Sequence, residues 1–182
     1  MRCRHCGEPV DLILVDLGSA PPSNSYLTDE NLRSPETCFP LRVLVCESCW
    51  LVQTEDFADA TLLFSSDYAY FSGYSTTWVE HCRAFVDRAI DRFGLNQMSR
   101  VVEVASNDGT LLNCFHARDT KCTGIEPTAS TAAAARSLGL EVLEVFLDEK
   151  VADKLVADGL VADLLVANNV IAHVTNIVGF AT

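Results

Sequence analysis

The apolar positions in the second half of the chain follow two alternating periodicities. Short continuous apolar runs, typical of buried strands, are separated by stretches with helical spacing. The predicted strands are RVVEVA, KCTGIE, LEVLEV and VADLLVAN, and the predicted helices between them are TLLNCFHAR, TASTAAAARSLG and DEKVADKLVADG. Strands that alternate with helices form parallel sheets with right-handed crossovers. Residues 99–182 are therefore predicted to form a domain of the α/β class.

A long amphipathic helix precedes this domain, within a predicted linker region of residues 61–98. The stretch TWVEHCRAFVDRAIDRFG repeats apolar residues with a period near 3.6. Thr77 and Glu80 predict a capping box at its start, and Gly94 predicts its end. The preceding segment DYAYFSGYSTT contains three tyrosines within seven residues. It fits either a packed aromatic linker or a loop that lines a ligand.

Residues 1–60 are rich in turns and contain two Cys-x-x-Cys pairs, predicted to form a small zinc-binding domain. The pairs are Cys3 with Cys6 and Cys46 with Cys49. Each pair forms a tight turn that points two sulfurs at one ion, and four thiolates are typical of tetrahedral zinc. Four thiolates also close the coordination shell, which favours a structural metal over a catalytic one. The apolar residues LRVLV and WLVQ around the second pair predict two strands joined by that turn.

Other uses of these cysteines remain open on spacing alone. Two disulfides or a redox-active Cys-x-x-Cys pair are the alternatives, although a redox motif is expected to open a helix after a strand. Cys38 and His5 are nearby alternative ligands. Gly7 follows the first pair, where such a turn often needs a residue with positive φ.

The composition narrows the class of protein. The chain has 182 residues, 49% of them hydrophobic, and a net charge of −12. It can therefore build a core, and it lacks the Lys/Arg clusters that bind nucleic acid or an anionic membrane. No apolar run approaches the roughly 18 residues of a spanning helix. The N-terminus has no basic-then-apolar signal segment. These features predict a cytoplasmic protein with reduced thiols.

Three segments are predicted to meet at the carboxyl edge of the sheet, where open parallel sheets bind ligands. In EVASNDGTLL, Asp108 and Gly109 lie in a turn before a helix. The glycine lets a ligand approach the backbone closely, and the N-terminus of the helix favours an anionic group. In GIEP, Glu126 ends the second strand, 23 residues after Glu103. A carboxylate in that place can accept both hydroxyls of a ribose. A solvated loop residue is the alternative for Glu126.

The third segment is ANNVIAHV, which supplies Asn168, Asn169 and His173 after the fourth strand. Alternatively, the two asparagines are ordinary turn residues, and His173 is a core histidine whose hydrogen bonds are satisfied. The glycine pattern of a dinucleotide site, G-x-G-x-x-G, is absent from the first loop. The pocket is therefore expected to take a ligand with a ribose but no pyrophosphate, and an NAD-dependent sugar enzyme is disfavoured.

These motifs, in this order, resemble the zinc-containing sugar C-methyltransferases, which act on nucleotide-linked deoxysugars. The resemblance rests on CRHCG, CESCWLVQ, DYAYFSGYS, VVEVASNDGTLL, GIEPT and ANNVIAHV. It implies a class I methyltransferase domain with a Rossmann-like parallel sheet, S-adenosylmethionine as cofactor and structural zinc. A nucleotide-linked keto-deoxysugar, with dTDP as the expected nucleotide, is the implied substrate. The resemblance says nothing of the oligomeric state.

The resemblance also implies roles for individual residues. EVASNDG cradles the methionine part of the cofactor, Glu126 holds the ribose hydroxyls, and Phe146 lies near the adenine. Asn168 and Asn169 lie along the cofactor, and Tyr70 and His173 face the sugar as catalytic residues. The implied cofactor set is Glu103, Ala105, Asn107, Asp108, Gly109, Glu126, Pro127, Phe146, Asn168 and Asn169.

Two features depart from this family. Its first loop usually begins Glu-x-Gly, whereas Ala105 stands in the place of that glycine. Relatives also continue for roughly as many residues again, through a downstream Glu-His segment that is thought to supply the catalytic base. The sequence is therefore expected to be the N-terminal portion of such an enzyme, with a truncated sheet and no turnover by itself. The alternative is a non-enzymatic, zinc-stabilised module that binds the cofactor or a partner.

Overall fold

The computed structural model describes residues 1–66 and 68–182, so Asp67 of the tyrosine-rich segment lies outside the described residues. The described residues form two compact units. The first unit comprises Met1–Ala69 and Ile171–Thr182, and the second comprises Tyr70–Val170.

The first unit contains a three-stranded antiparallel sheet in the order β1-β2-β3. The strands are β1 (Leu12–Ala20), β2 (Phe39–Val45) and β3 (Val52–Thr54), followed by the short helix α1 (Ala60–Leu63). The second cysteine pair lies in the turn that joins β2 to β3, as the apolar residues around it predicted. The buried core of this unit is small and consists of Cys3, Val10, Leu44 and Cys46.

The second unit contains the predicted four-stranded parallel sheet, in the order β6-β5-β4-β7. The strands are β4 (Arg100–Val104), β5 (Lys121–Ile125), β6 (Glu141–Leu143) and β7 (Leu164–Val166). The helices are α2 (Thr76–Phe93), α3 (Thr110–His116), α4 (Ala129–Ser137) and α5 (Glu149–Ala157). This arrangement confirms the α/β class and the Rossmann-like sheet.

The last strand is shorter than its apolar run predicted, because pairing with β4 starts only at Leu164. The preceding Asp163 instead forms a closed pair with Arg100. Its carboxylate accepts the Arg100 N–H at 2.7 Å, and its own N–H donates to the Arg100 carbonyl at 2.8 Å. This pair fixes the register in which β7 meets β4.

The long helix α2 supplies one side of the main core. Its buried residues Cys82, Val86 and Ala89 lie on the predicted apolar stripe. They pack with Phe115 of α3 and Val101 of β4 in one hydrophobic cluster. The described residues contain no helix that is both long enough and apolar enough to cross a membrane.

The capping box predicted at Thr77 is wrong. The helix begins at Thr76, and the side chain of Ser75 is its cap, because the Ser75 Oγ accepts the Trp78 N–H at 3.2 Å. Ser75 has extended backbone dihedrals, whereas Thr77 already lies within the helix. The predicted end is confirmed, since Gly94 adopts the left-handed conformation at φ 63°.

Replacing Ser75 with Ala should lower the free energy of unfolding by about 1 kcal/mol, because the Trp78 N–H loses its acceptor. Thr77→Ala is the matched control and should leave stability unchanged or slightly higher, since alanine favours a helix interior. Denaturant unfolding at fixed zinc concentration measures both. Equal losses in the two variants would contradict the assignment of the cap.

Candidate metal centre and cofactor site

The four predicted cysteine ligands converge in the first unit. The sulfurs of Cys3, Cys6, Cys46 and Cys49 all lie within 4.8 Å of one another. Two contacts link the pairs across the centre: Cys3 Sγ to Cys49 Sγ and Cys6 Sγ to Cys46 Sγ, both at 3.5 Å. Tetrahedral zinc with Zn–S bonds of about 2.3 Å would place its sulfurs about 3.8 Å apart. The cluster therefore fits zinc with little rearrangement.

The two cysteine turns share one backbone design. Gly7 N–H donates to the Cys3 carbonyl at 3.0 Å, and Trp50 N–H donates to the Cys46 carbonyl at 2.8 Å. Both Gly7 and Trp50 adopt positive φ, at 76° and 62°. Sequence spacing identified the role of Gly7 but not that of Trp50, because a tryptophan rarely takes this conformation.

The proton affinities of the thiols differ across the cluster. Burial opposes ionisation of Cys3, yet hydrogen bonding from the Cys6 backbone, the Gln53 amide and the His5 N–H outweighs it and lowers the pKa of Cys3 to about 6. For Cys49, the Leu51 backbone lowers the pKa, but burial and the neighbouring thiols outweigh it and raise the pKa to about 12. Cys3 therefore ionises more readily than Cys49, and a bound cation would displace the protons of the remaining thiols.

The alternative ligands lie outside this cluster. Among the residues that the structure describes, the group of converging ligand atoms contains the four predicted sulfurs and neither His5 nor Cys38. The backbone N–H of His5 instead donates to Cys3 Sγ at 3.4 Å, and Cys38 is exposed. All four converging cysteines are free thiols. Four protein ligands leave no open coordination position, which makes the centre structural.

The second candidate site is in the second unit, at the carboxyl ends of β4 and β5. Glu126 is buried there, with 4% of its surface exposed. Its Oε2 accepts the Asn107 N–H at 2.8 Å, and its Oε1 accepts the Thr128 N–H at 2.9 Å. Each carboxylate oxygen keeps acceptor capacity for a second donor. Glu126 can therefore accept two hydroxyl groups without giving up these bonds.

The side chains of the first loop contact the tyrosine-rich segment. The amide of Asn107 bonds to Ser72 and to the Tyr70 carbonyl, and the carboxylate of Asp108 accepts the Gly73 N–H at 2.8 Å. Ser72 and Gly73 were missed in the sequence. Only the small residues within an aromatic stretch point to them, and that signal is weak.

Two small residues of the loop, Gly109 and Ala105, adopt positive φ. Gly109 has φ 78°, and a Cβ there would lie 2.5 Å from Leu140 and 3.0 Å from Ala135, so packing as well as conformation requires glycine. Ala105 also adopts positive φ, at 53°, but is exposed. The loop therefore tolerates the methyl group that replaces the usual glycine.

Several buried polar atoms of the second unit have no hydrogen-bond partner among the described residues. They include Glu103 Oε2, Ser106 Oγ and Thr128 Oγ1. Burial raises the pKa of Glu103 well above its usual range, against the effect of the Leu112 N–H, and the charges of Asp108 and Glu126 add to the rise. Unpaired buried polar atoms cost about 1–3 kcal/mol each. This donor and acceptor set fits a hydroxyl-rich, polar ligand such as the ribose of an adenosyl compound.

The remaining predicted residues differ in exposure. Phe146 is exposed after β6, Asn168 is half-buried after β7, and Asn169 is exposed with φ 54°. Pro127 follows Glu126 directly and is half-buried.

The two predicted catalytic residues belong to different units. Tyr70 is half exposed in the second unit. His173 belongs to the first unit, where its ring packs edge-on against the ring of Phe64, with 5.6 Å between the ring centroids. The roles of both residues stay predictions.

Comparison with known proteins supports the zinc-binding centre. Residues 3–64 match a methyltransferase family model described as "Putative zinc binding domain". The C-methyltransferase NovU of Streptomyces niveus is 31% identical over 175 residues, which cover 96% of this chain and 41% of that protein. The chain thus spans less than half the length of this curated relative. The crystal structure of MccD protein shares 22% identity over 46% of this chain and 31% of that chain, with a TM-score of 0.27.

The structure thus combines a four-cysteine cluster suited to zinc in one unit with a parallel α/β sheet in the other. The match to a zinc-binding domain and the similarity to a C-methyltransferase agree with the family resemblance that the motifs predicted.

Replacing Cys46 with Ser should abolish stoichiometric zinc binding, because zinc loses one of four thiolates and folding of the first unit is coupled to the metal. The wild type is expected to contain about one zinc per chain by elemental analysis. Cys38→Ser removes an exposed thiol outside the cluster and should keep the zinc. A Cys46→Ser protein with a full complement of zinc would refute the assignment.

Replacing Glu103 with Gln should make the free energy of unfolding fall less steeply as the pH rises. The folded state holds a proton on Glu103 that the unfolded chain releases above about pH 4.3. The unfolded state therefore binds fewer protons, and stability falls as pH rises from there toward the folded pKa. Denaturant unfolding at a series of pH values should show a shallower decline in the variant. Parallel pH profiles would mean that Glu103 ionises equally in both states.

Proposed function

We propose that this protein is an S-adenosylmethionine-dependent C-methyltransferase that acts on a nucleotide-linked keto-deoxysugar, with dTDP as the expected nucleotide. The observation that carries the proposal is the buried Glu126 carboxylate at the end of β5, which has one free acceptor position on each oxygen. The similarity to a C-methyltransferase over nearly the whole chain supports the type of reaction. The free thiols of the zinc centre agree with a cytoplasmic location.

The residues present fit the adenosyl cofactor. Glu126 would accept the ribose hydroxyls, and the loop from Glu103 to Gly109 would lie along the methionine part. Phe146, Asn168 and Asn169 would line the rest of the cofactor. When bound, S-adenosylmethionine supplies an electrophilic methyl group on a sulfonium centre.

The protein must then generate a carbon nucleophile beside the sugar ketone. A base removes the proton next to the carbonyl, and a hydrogen-bond donor stabilises the enolate oxygen that develops. Tyr70 and His173 are the proposed residues on the sugar side, by resemblance to the family. A donor to the enolate oxygen contributes most when it is oriented before the reaction.

Replacing Glu126 with Ala should weaken binding of S-adenosylhomocysteine by about 10- to 100-fold, the scale of a hydrogen bond to a charged group. Glu126→Gln keeps the shape and one acceptor but adds a donor that faces the Asn107 or Thr128 N–H, so it should also weaken binding. Glu149→Ala, on exposed α5, is the control and should retain the wild-type affinity. Isothermal titration calorimetry measures all four proteins.

Equal affinity in the Glu126 variants would remove this residue from the site, and tighter binding of NAD than of the adenosyl compound would overturn the cofactor. The type of reaction is tested with the natural full-length protein and a methyl-labelled cofactor. Label recovered on carbon of a nucleotide-linked 4-keto sugar is the expected result. Label on oxygen or nitrogen would contradict it, and cofactor binding without any transfer to such sugars would favour a non-enzymatic module.

A further inference from the structure

The side-chain amide of Asn107 holds the segment Tyr70–Gly73 against the loop that follows β4. Its Oδ1 accepts hydrogen bonds from the Ser72 N–H at 2.9 Å and from the Ser72 hydroxyl at 2.8 Å. Its Nδ2 donates to the Tyr70 carbonyl at 3.1 Å. The amide therefore bonds to this segment on both sides, as a peptide group of a neighbouring strand would.

A second contact brings the segment close to the same loop. Asp108 Oδ2 accepts the Gly73 N–H at 2.8 Å, while Asp108 Oδ1 accepts the Thr110 hydroxyl at 2.6 Å. A Cβ on Gly73 would lie 3.0 Å from Asp108 Oδ2 and 3.1 Å from Thr110 Oγ1. Such distances are tighter than ordinary van der Waals contact, so a residue without a side chain suits this approach.

The main chain of Asn107 makes a third connection. Its N–H donates to Glu126 Oε2 at 2.8 Å, and its φ of 52° lies in the left-handed region, which asparagine tolerates better than most residues. One residue thus bonds to Tyr70 through its side chain and to Glu126 through its backbone. Ser72 and Tyr70 occupy both acceptor positions of its side-chain amide and one of its two N–H groups, which leaves one N–H for a ligand.

We propose that Asn107 is a positioning residue that sets the place of Tyr70 and couples it to ligand binding at Glu126. This inference rests on the proposed function, in which Glu126 holds the cofactor ribose and Tyr70 faces the sugar. A ligand hydroxyl that donates to Glu126 shares the carboxylate with the Asn107 N–H. Any resulting shift of Asn107 is passed to the Tyr70–Gly73 segment through three hydrogen bonds of one rigid amide.

The chemistry requires asparagine in particular. Aspartate would keep the oxygen that accepts from Ser72, but it would lose the donor to Tyr70 and turn a second oxygen toward the Tyr70 carbonyl. Asn107→Asp therefore separates the positioning role from the volume of the side chain. Asn113→Asp is the matched control, since Asn113 is exposed on α3 and the substitution adds the same charge.

Backbone hydrogen exchange of the zinc-loaded protein, without other ligand, is the first measurement. Asn107→Asp should speed exchange in the peptide that contains Ser72 and Gly73 by about tenfold, since the hydrogen-bonded segment opens more often. Asn113→Asp should leave this peptide unchanged. Ser72→Ala is a second variant that keeps Asn107 intact, and it should give a smaller increase because only the hydroxyl bond is lost.

The same measurement with saturating S-adenosylhomocysteine tests the coupling. In the wild type, the ligand should slow exchange both around Glu126 and in the Ser72–Gly73 peptide. In Asn107→Asp, the ligand should still protect the region around Glu126 while the Ser72–Gly73 peptide no longer responds. A residue with a merely structural role would not separate these two responses.

Two results would overturn the proposal: unchanged ligand-free exchange in Asn107→Asp, or a Ser72–Gly73 peptide that responds to the ligand equally in both proteins. Failure of the proposed function looks different, because the wild type would then bind neither S-adenosylmethionine nor S-adenosylhomocysteine. In that case the coupling to the cofactor fails with it, and the ligand-free comparison alone decides whether Asn107 positions Tyr70.

Discussion

The second unit depends on a single buried carboxylate. Glu126 follows β5 directly. It accepts the N–H of Asn107 from the loop after β4 and the N–H of Thr128, the N-cap residue of α4. A buried acceptor of this kind is costly to leave unpaired, so the three segments are constrained to meet. Because β4 and β5 are parallel neighbours, their carboxyl ends already lie side by side. By accepting hydrogen bonds from Asn107 and Thr128, the carboxylate holds both segments at one edge of the pocket.

The first unit depends on a different constraint, the small size of its core. Two of its four buried core residues are cysteines of the metal centre, and eight of the nine residues in β1 are exposed. So little buried apolar surface cannot by itself offset the entropy of ordering the chain. The matching backbones of the two cysteine turns direct their sulfurs to one point, and zinc then contributes the missing folding energy.

The sequence predicted those features that have a local cause. Periodicity located the strands and helices of the α/β region, paired cysteines identified the metal centre, and Gly94 marked the end of α2. The interactions that shape the pocket are not local. Asn107 bonds to Ser72 across 35 residues, and no spacing rule connects them. The positive φ of Trp50 was not predicted for another reason. The closed turn imposes this left-handed conformation, which tryptophan itself does not favour.

The same distinction explains how the loop after β4 tolerates Ala105. Three of its residues, Ala105, Asn107 and Gly109, adopt positive φ, and only one of them is glycine. Gly109 is fixed by packing against Leu140, and Asn107 is fixed by its bonds to Glu126 and to the Tyr70–Gly73 segment. With the loop anchored at these two points, the strain at Ala105, on the order of 1 kcal/mol, is borne by contacts elsewhere. The path of this loop thus follows from its hydrogen bonds and packing, and a glycine at position 105 is not required to maintain it.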